Sequence, residues 1–486
     1  MVLSAQGSSR SRPRVRMENA TTYEEWKAAA IAEDERSGAA AWKRVDESSR
    51  YDYRVIRRRL EELRRVRASD DPHALLFYLN EGIHGNMGGM GSSRLYGRAR
   101  FGTKDLITSY IREQAAALEQ IASVEDGEIS LSEKLDFFRR ASHCFGRTAL
   151  MLSGAGALGP FHVGVIKALL EQGLLPNVIS GSSAGALVAA IVGTRDDDSL
   201  HQVFQPRSIV AVFGEAAEAE ADLIKGNRRM SIREVRGFVE HQIPDLTFQE
   251  AFDLTGRRIN IPVAARELHQ QSRLLNAITS PNVYVREAVL ASCAIPGIYP
   301  PVTLAAKNRL GQRQPYVPTR QWVDGSVTDD LPAKRLSRLY GVNHFITSQT
   351  NPIALLGIRD SSRQDDLLGR WWEINQNASR EWLRATYPFA MEVTRGLYPL
   401  DIMTRMFYGI ATQDYTADIN ILPRRRFWDP RKLLAVLTEV EVQTLIREGE
   451  AATWPRIEMI RNCTAISRTL DGILERIEEQ HIYSHG

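Results

Sequence analysis

Two glycine-rich turns, each set between an apolar run and a helical pattern, constrain this chain more than any other feature. The first follows "TALMLS" and reads Gly154-Ala155-Gly156-Ala157-Leu158-Gly159 before "FHVGVIKALLEQG". The second follows "NVIS" and reads Gly181-Ser182-Ser183-Ala184-Gly185 before "ALVAAIVG". Short apolar runs that alternate with helices predict parallel strands covered on both faces. The pattern continues from 147 to about 350 through "NIPVAAREL", "SRLLNAITS", "RQWVDGSV" and "NHFITSQ".

The flanks read differently. We expect a disordered basic tail over 1–20, a helical N-terminal module over 21–145, a catalytic α/β domain over 146–350 and a helical C-terminal region over 351–486. In the N-terminal module, "RVIRRRLEELRRVR" (54–67) places Val55, Ile56, Leu60, Leu63 and Val66 near helical spacing among seven arginines. It reads as a solvated helix with one packed face, or as a face that meets anionic lipid. "GTKDLITSYIREQAAALEQIA" is a further helix, with Thr103 or Asp105 as its cap. The C-terminal region is aromatic (Trp371, Trp372, Trp382, Trp428) and ends in charged amphipathic stretches over 437–449 and 455–480.

Composition narrows the function classes. A net charge of +3 on 486 residues gives no bulk attraction for nucleic acid, and none is expected as a partner. Cys144, Cys293 and Cys463 have no metal-ligand spacing and make no disulfide framework, so no metal and no cofactor are expected and the compartment is a reducing one. The N-terminus lacks a signal-peptide core. No stretch reaches the roughly 18 apolar residues that span a bilayer. The expected place is therefore intracellular, cytoplasmic and not secreted, with any membrane contact peripheral.

The first turn spells G-x-G-x-x-G, the dinucleotide fingerprint. That motif needs an acidic residue at the end of the second strand, about 20 residues on. Here that strand ends Ile179-Ser180-Gly181, and the nearest acid, Glu171, belongs to the intervening helix. The same glycines can instead present backbone N–H groups to an oxyanion. The second turn is G-x-S-x-G. It puts Ser183 on a sharp strand-to-helix corner, where Gly181 and Gly185 clear the space and the helix dipole favours negative charge. Ser182 lies off the centre of the pattern. Asp324, in "QWVDGSV", closes a short apolar run at the strand edge where α/β sheets bind ligands. A free carboxylate, with a pKa of about 3.9, is a weak base, but burial raises it.

These three motifs, in this order, resemble those of patatin-like phospholipases. The resemblance implies a three-layer α/β/α fold with a mostly parallel central sheet, flanked by helical regions. It further implies Ser183 as nucleophile, Asp324 as the base of a Ser-Asp dyad, and Gly154, Ala155, Gly156 and Gly159 as the oxyanion turn. "VREAVLASCAIPGIYPPV" (285–302) resembles the family's Pro-rich stretch before the catalytic Asp. "TYEEWKAAAIAEDE", "LYGRARFGTKDLITSYI" and "HFITSQTNP" resemble the subgroup that includes triacylglycerol lipases of fungal lipid droplets and plant seeds. Leu158 stands where many members carry a basic residue, which leans toward neutral glycerides. The third motif is Asp-Gly-Ser rather than Asp-Gly-Gly. No histidine has the spacing of the H-x-x-x-x-D acyltransferase motif, since His241 and Asp245 are one residue too close.

The implied activity is hydrolysis of fatty acyl esters of glycerolipids, triacylglycerol first, at a membrane or lipid-droplet surface. A phospholipase A or lysophospholipase of the same mechanism remains open. So do a Ser183–Asp324–His344 triad, an inactive lipid-binding scaffold, and nucleotide binding.

Overall fold

A computed structural model describes residues 12–83, 85–204, 231–267, 272–325, 330–351, 354–355, 386, 417–424, 435 and 437–485. The chain divides into two compact units. One contains residues 1–147, 361–364 and 454–486; the other contains 148–360 and 365–453.

The first unit is helical. It contains α1 (Arg12–Asn19), α2 (Tyr23–Ser37), α3 (Ala39–Arg44), α4 (Tyr53–Ala68), α5 (Pro72–Gly82), α6 (Ser93–Tyr96), α7 (Asp105–Ser123) and α8 (Leu131–Phe145). Residues 12–19, expected as disordered tail, are helical. The reason is tertiary: α1 packs on α2, and Arg14 Nε donates to the buried Glu33 carboxylate at 2.6 Å. Residues 1–11 of that expected tail lie outside the described residues. Helix α4 buries Ile56, Leu60 and Leu63 against α7, while Val55 and Val66 are half-buried. Its arginines are largely engaged within the unit. Arg57 pairs with Asp46 at 2.7 Å, Arg64 pairs with Glu113 at 3.3 Å, and Arg67 also reaches Glu113. The cap of α7 is neither Thr103 nor Asp105 but Lys104. The Thr103 hydroxyl is turned to the Leu95 carbonyl, and Lys104 Nζ donates to the carbonyls of Trp42 (2.8 Å), Val45 and Glu47 (3.3 Å).

The second unit carries the sheet. Its strands are β1 (Arg147–Leu152), β2 (Val178–Gly181), β3 (Arg258–Ala265), β4 (Arg273–Leu275), β7 (Trp322–Asp324), β8 (Val342–Ser348) and β9 (Ile419–Ile421). A separate hairpin pairs β5 (Ala305–Lys307) with β6 (Arg313–Pro315). Its helices are α9 (Gly159–Glu171), α10 (Ala184–Gly193), α11 (Asp197–Val203), α12 (Ile232–Gln242), α13 (Phe248–Thr255), α14 (Val285–Ser292), α15 (Ala333–Tyr340) and α16 (Glu439–Thr453). The order is β4-β3-β2-β1-β8-β9, with β7 also on β3. Strands β1, β2 and β3 run parallel, as do β8 and β9. This is the mostly parallel sheet with flanking helices that the alternating pattern predicts. Ala149, Met151, Val178, Leu336, Tyr340 and Val342 make one buried cluster of its core.

The C-terminal region does not stay together as expected. Strand β9 extends the central sheet and α16 packs on α9, whereas α17 (Ile457–His485) packs on α7 and α8 of the helical unit. Its buried Ile460, Ile466, Leu470 and Ile473 supply an apolar stripe at helical spacing.

Candidate active site

Ser183 occupies the corner between β2 and α10 with φ +53° and ψ −120°. Only Asp70 and Asn86 share a positive φ among the described non-glycine residues. An L-residue there is strained, and the surroundings must impose it. They do so by contact. A Cβ on Gly181 would lie 2.1 Å from the Gly185 carbonyl oxygen, and one on Gly185 would lie 2.4 Å from that of Leu152. Both motif glycines are thus required by close backbone approach. The Ser183 N–H donates to Ser292 Oγ at 3.0 Å, and that hydroxyl donates on to the Pro262 carbonyl at 3.1 Å. Ser182 is fully buried and donates its hydroxyl to the Asp330 carbonyl at 2.9 Å.

Strand β3 brings Asp324 to the same corner. Its edge facing β2 pairs with Val178, Ile179 and Ser180 through residues 258–260. Further along, Val263 pairs with Arg273 of β4 and with Asp324 of β7, so β4 and β7 hold opposite edges of β3. Because β4 lies on the edge away from β2, β7 takes over the β2 edge where β2 stops. A Cβ on Gly325 would lie 2.5 Å from the Pro262 carbonyl, so the Asp-Gly pair is a packing requirement rather than a free turn. The Asp324 N–H donates to the Ala294 carbonyl at 3.0 Å.

Cys293 is within reach of both groups. Burial pushes its thiol up to about 12, the negative charge of Asp324 acts in the same direction, and a hydrogen bond with the Ser183 side chain opposes them. Ser183 keeps 8% of its surface open and Asp324 2%, so both are largely shielded from bulk water.

The first glycine turn is split in use. The Gly154 N–H donates to Asp330 Oδ1 at 2.7 Å, and the Gly159 N–H donates to the Gly156 carbonyl at the start of α9. The N–H groups of Ala155 and Gly156 have no partner among the described residues. Ala155 packs in one cluster with Ala184, the residue after Ser183, and a Cβ on Gly159 would touch Ala184 Cβ at 3.3 Å. Leu158 is buried in that cluster against Leu445.

His344 is not brought to this corner. Its Nδ1 meets Thr148 Oγ1 at 3.2 Å, near the start of β1, whereas Ser183 follows the end of β2. Sequence reasoning passed over His162, Ser292, Cys293 and Asp330. His162 is buried under the turn: Nε2 donates to the Ser153 carbonyl at 3.0 Å, so Nδ1 accepts from Ser348 Oγ at 2.7 Å. Burial pulls it down to about 4, which keeps it neutral. "FHVG" reads as ordinary helix, and nothing in its spacing marks the histidine. Asp330 did carry a signal, as one of two further carboxylates, with Asp329, that follow Asp324 in the same short segment. Among the described residues, no group of three or more His, Cys, Asp or Glu is placed to hold a metal.

A parallel sheet whose second strand ends in a G-x-S-x-G corner, beside a glycine turn and an Asp-Gly strand end, defines an α/β class with a serine elbow. Residues 150–336 match the family described as Patatin-like phospholipase, and residues 3–143 match one described as Domain of unknown function (DUF3336). The chain is 32% identical over 470 residues to a protein named Triacylglycerol lipase ptl3 from Schizosaccharomyces pombe, covering 94% of this chain and 96% of that one. It is 32% identical to Triacylglycerol lipase SDP1L of Arabidopsis thaliana, covering 94% of this chain and 57% of that protein. It is 33% identical to Triacylglycerol lipase 4 of Saccharomyces cerevisiae, covering 96% and 53%. The chain belongs to the patatin-like phospholipase family. It spans about half the length of several of the curated relatives it matches.

Proposed function

We propose that this protein is a serine acyl hydrolase that cleaves fatty acyl esters of glycerolipids, triacylglycerol foremost. Ser183 is the nucleophile and Asp324 the base. Asp324 takes the Ser183 proton as Oγ attacks the ester carbonyl. The N–H groups of Ala155 and Gly156 receive the oxyanion, each aligned donor being worth about 3 kcal/mol. The proton passes to the leaving alkoxide, and water then releases the fatty acid from the acyl-enzyme. The observation that carries this reading is the shared β3 edge, which seats Asp324 beside the end of β2, with Cys293 in contact with Ser183 and in the field of Asp324.

Two observations favour a neutral glyceride over a phospholipid. Leu158 is buried in an apolar cluster at a position where many family members carry a base. The relatives above are named triacylglycerol lipases. An insoluble substrate is met at a membrane or lipid-droplet surface, and the protein works there from the aqueous side. Among the described residues no helix is long and apolar enough to cross a membrane. Such a substrate calls for an exposed apolar patch; residues 360–415, the aromatic stretch that could supply one, lie outside the described residues apart from Thr386. On α4, the ion pairs to Asp46 and Glu113 leave less free charge for lipid than the sequence alone suggests.

The test is product analysis with triacylglycerol, diacylglycerol and phospholipid offered side by side. Ser183→Ala and Asp324→Asn should each lose roughly 1,000-fold or more in turnover while remaining folded. His344→Ala should stay within a few-fold of the parent. Undiminished hydrolysis by Asp324→Asn refutes the dyad; collapse in His344→Ala points to a triad.

A further inference from the structure

We propose that Asp330 is a positioning residue for the oxyanion turn: its carboxylate holds the Gly154 N–H, and so fixes where the Ala155 and Gly156 N–H groups lie relative to Ser183. This rests on the dyad reading above and adds a second carboxylate with a separate task.

The geometry is specific. Asp330 Oδ1 accepts from Gly154 at 2.7 Å, its backbone carbonyl accepts from Ser182 Oγ at 2.9 Å, and its Oδ2 lies 3.5 Å from Asn351 Nδ2. One buried residue thus ties the glycine turn, the serine elbow and the segment after β8 together. The turn needs such a tie. Glycine gives it freedom, Gly156 sits at φ +52°, and among the described residues nothing holds the direction of the Ala155 and Gly156 N–H groups. Ser153, the residue just before Gly154, is anchored as well: its N–H donates to the Ser348 carbonyl at 3.1 Å and its Oγ accepts from the Thr350 N–H at 2.9 Å. Without Asp330 the Ser153–Gly154 peptide would keep its carbonyl bond from His162 and lose the acceptor on its N–H, directly before the two donors. An amide oxygen can replace the carboxylate as acceptor; a methyl group cannot.

The experiment compares Asp330→Ala, Asp330→Asn and Ser183→Ala in the full chain, using a soluble short-chain nitrophenyl ester to avoid interfacial effects. A donor that acts only on the tetrahedral species affects kcat and spares KM. Asp330→Ala should therefore lower kcat about 10- to 100-fold, with KM within about twofold. Asp330→Asn should recover kcat to within about fivefold of the parent. Asp330→Ser, which is polar but too short to reach Gly154, gives the same reading if the alanine variant does not fold. Unchanged kcat in the alanine or serine variant, a change confined to KM, or an asparagine variant as impaired as alanine overturns the proposal. Ser183→Ala separates the two readings. Turnover lost there but kept in Asp330→Ala overturns this proposal alone, while turnover kept in Ser183→Ala overturns the dyad and this proposal with it.

Discussion

Among the residues, Asp330 and His162 titrate in opposite senses beneath the same turn. Burial first, then the nearby Asp324 charge, push the Asp330 carboxyl up to about 7, while its bond to Gly154 pulls the other way. The folded protein therefore holds a proton that the unfolded chain releases, and this group's contribution to stability falls as pH rises from about 4 to about 7. His162 does the reverse. Its folded value of about 4 lies below the ordinary one of about 6.5, so stability falls as pH drops through that range. The two slopes offset one another over nearly one window. Asp330→Asn should leave His162 unopposed, so the variant's denaturation midpoint should climb from pH 4.5 to 6.5 more steeply than the parent's. Parallel profiles would contradict this. These residues also mark where legibility ended. Ser183, Asp324 and their glycines are readable because steric need and reactivity confine them to short patterns. His162 and Asp330 act through partners distant in sequence, Ser348 and Gly154, which no local spacing reveals.

Among the elements, the crossing of α9 and α16 is the tightest contact. A Cβ on Gly164 would lie 2.0 Å from the Ile446 carbonyl oxygen, and one on Gly449 would lie 2.1 Å from that of Phe161. The blocking atoms are backbone on both sides, so neither helix can yield locally. Gly449→Ala should destabilise the sheet-bearing unit by about 1–3 kcal/mol or more. Gly472→Ala, in the interior of α17 with only the flexible Arg476 guanidinium at 3.7 Å, should raise stability by about 0.5–1 kcal/mol. Thermal melts of the two variants check both signs. The alternation of strand and helix was legible from 147 onward because buried strands are continuous apolar runs. The α9–α16 pairing was not, because each glycine alone reads as a tolerated helical residue. Nor was the antiparallel entry of β7, which reads as one more strand until its register on β3 is known.

For the whole molecule, the two compact units do not follow the order of the chain. Helix α17 completes the unit begun by α1–α8, burying Ile460, Leu470 and Ile473 there. A chain cut after residue 453 should therefore expose α7 and α8 and lose protease resistance over 12–147, and a 454–486 peptide supplied in trans should restore it. Resistance unaffected by the cut would refute that dependence. The shared edge of β3 has a broader consequence. It works as a ruler: the separation of Ser183 and Asp324 is counted in strand residues, at about 3.3 Å each, rather than in the length of chain that joins them. Insertions between the two can lengthen a relative without moving the reacting atoms, whereas a single-residue slip of β7 would turn the carboxylate to the opposite side of the sheet.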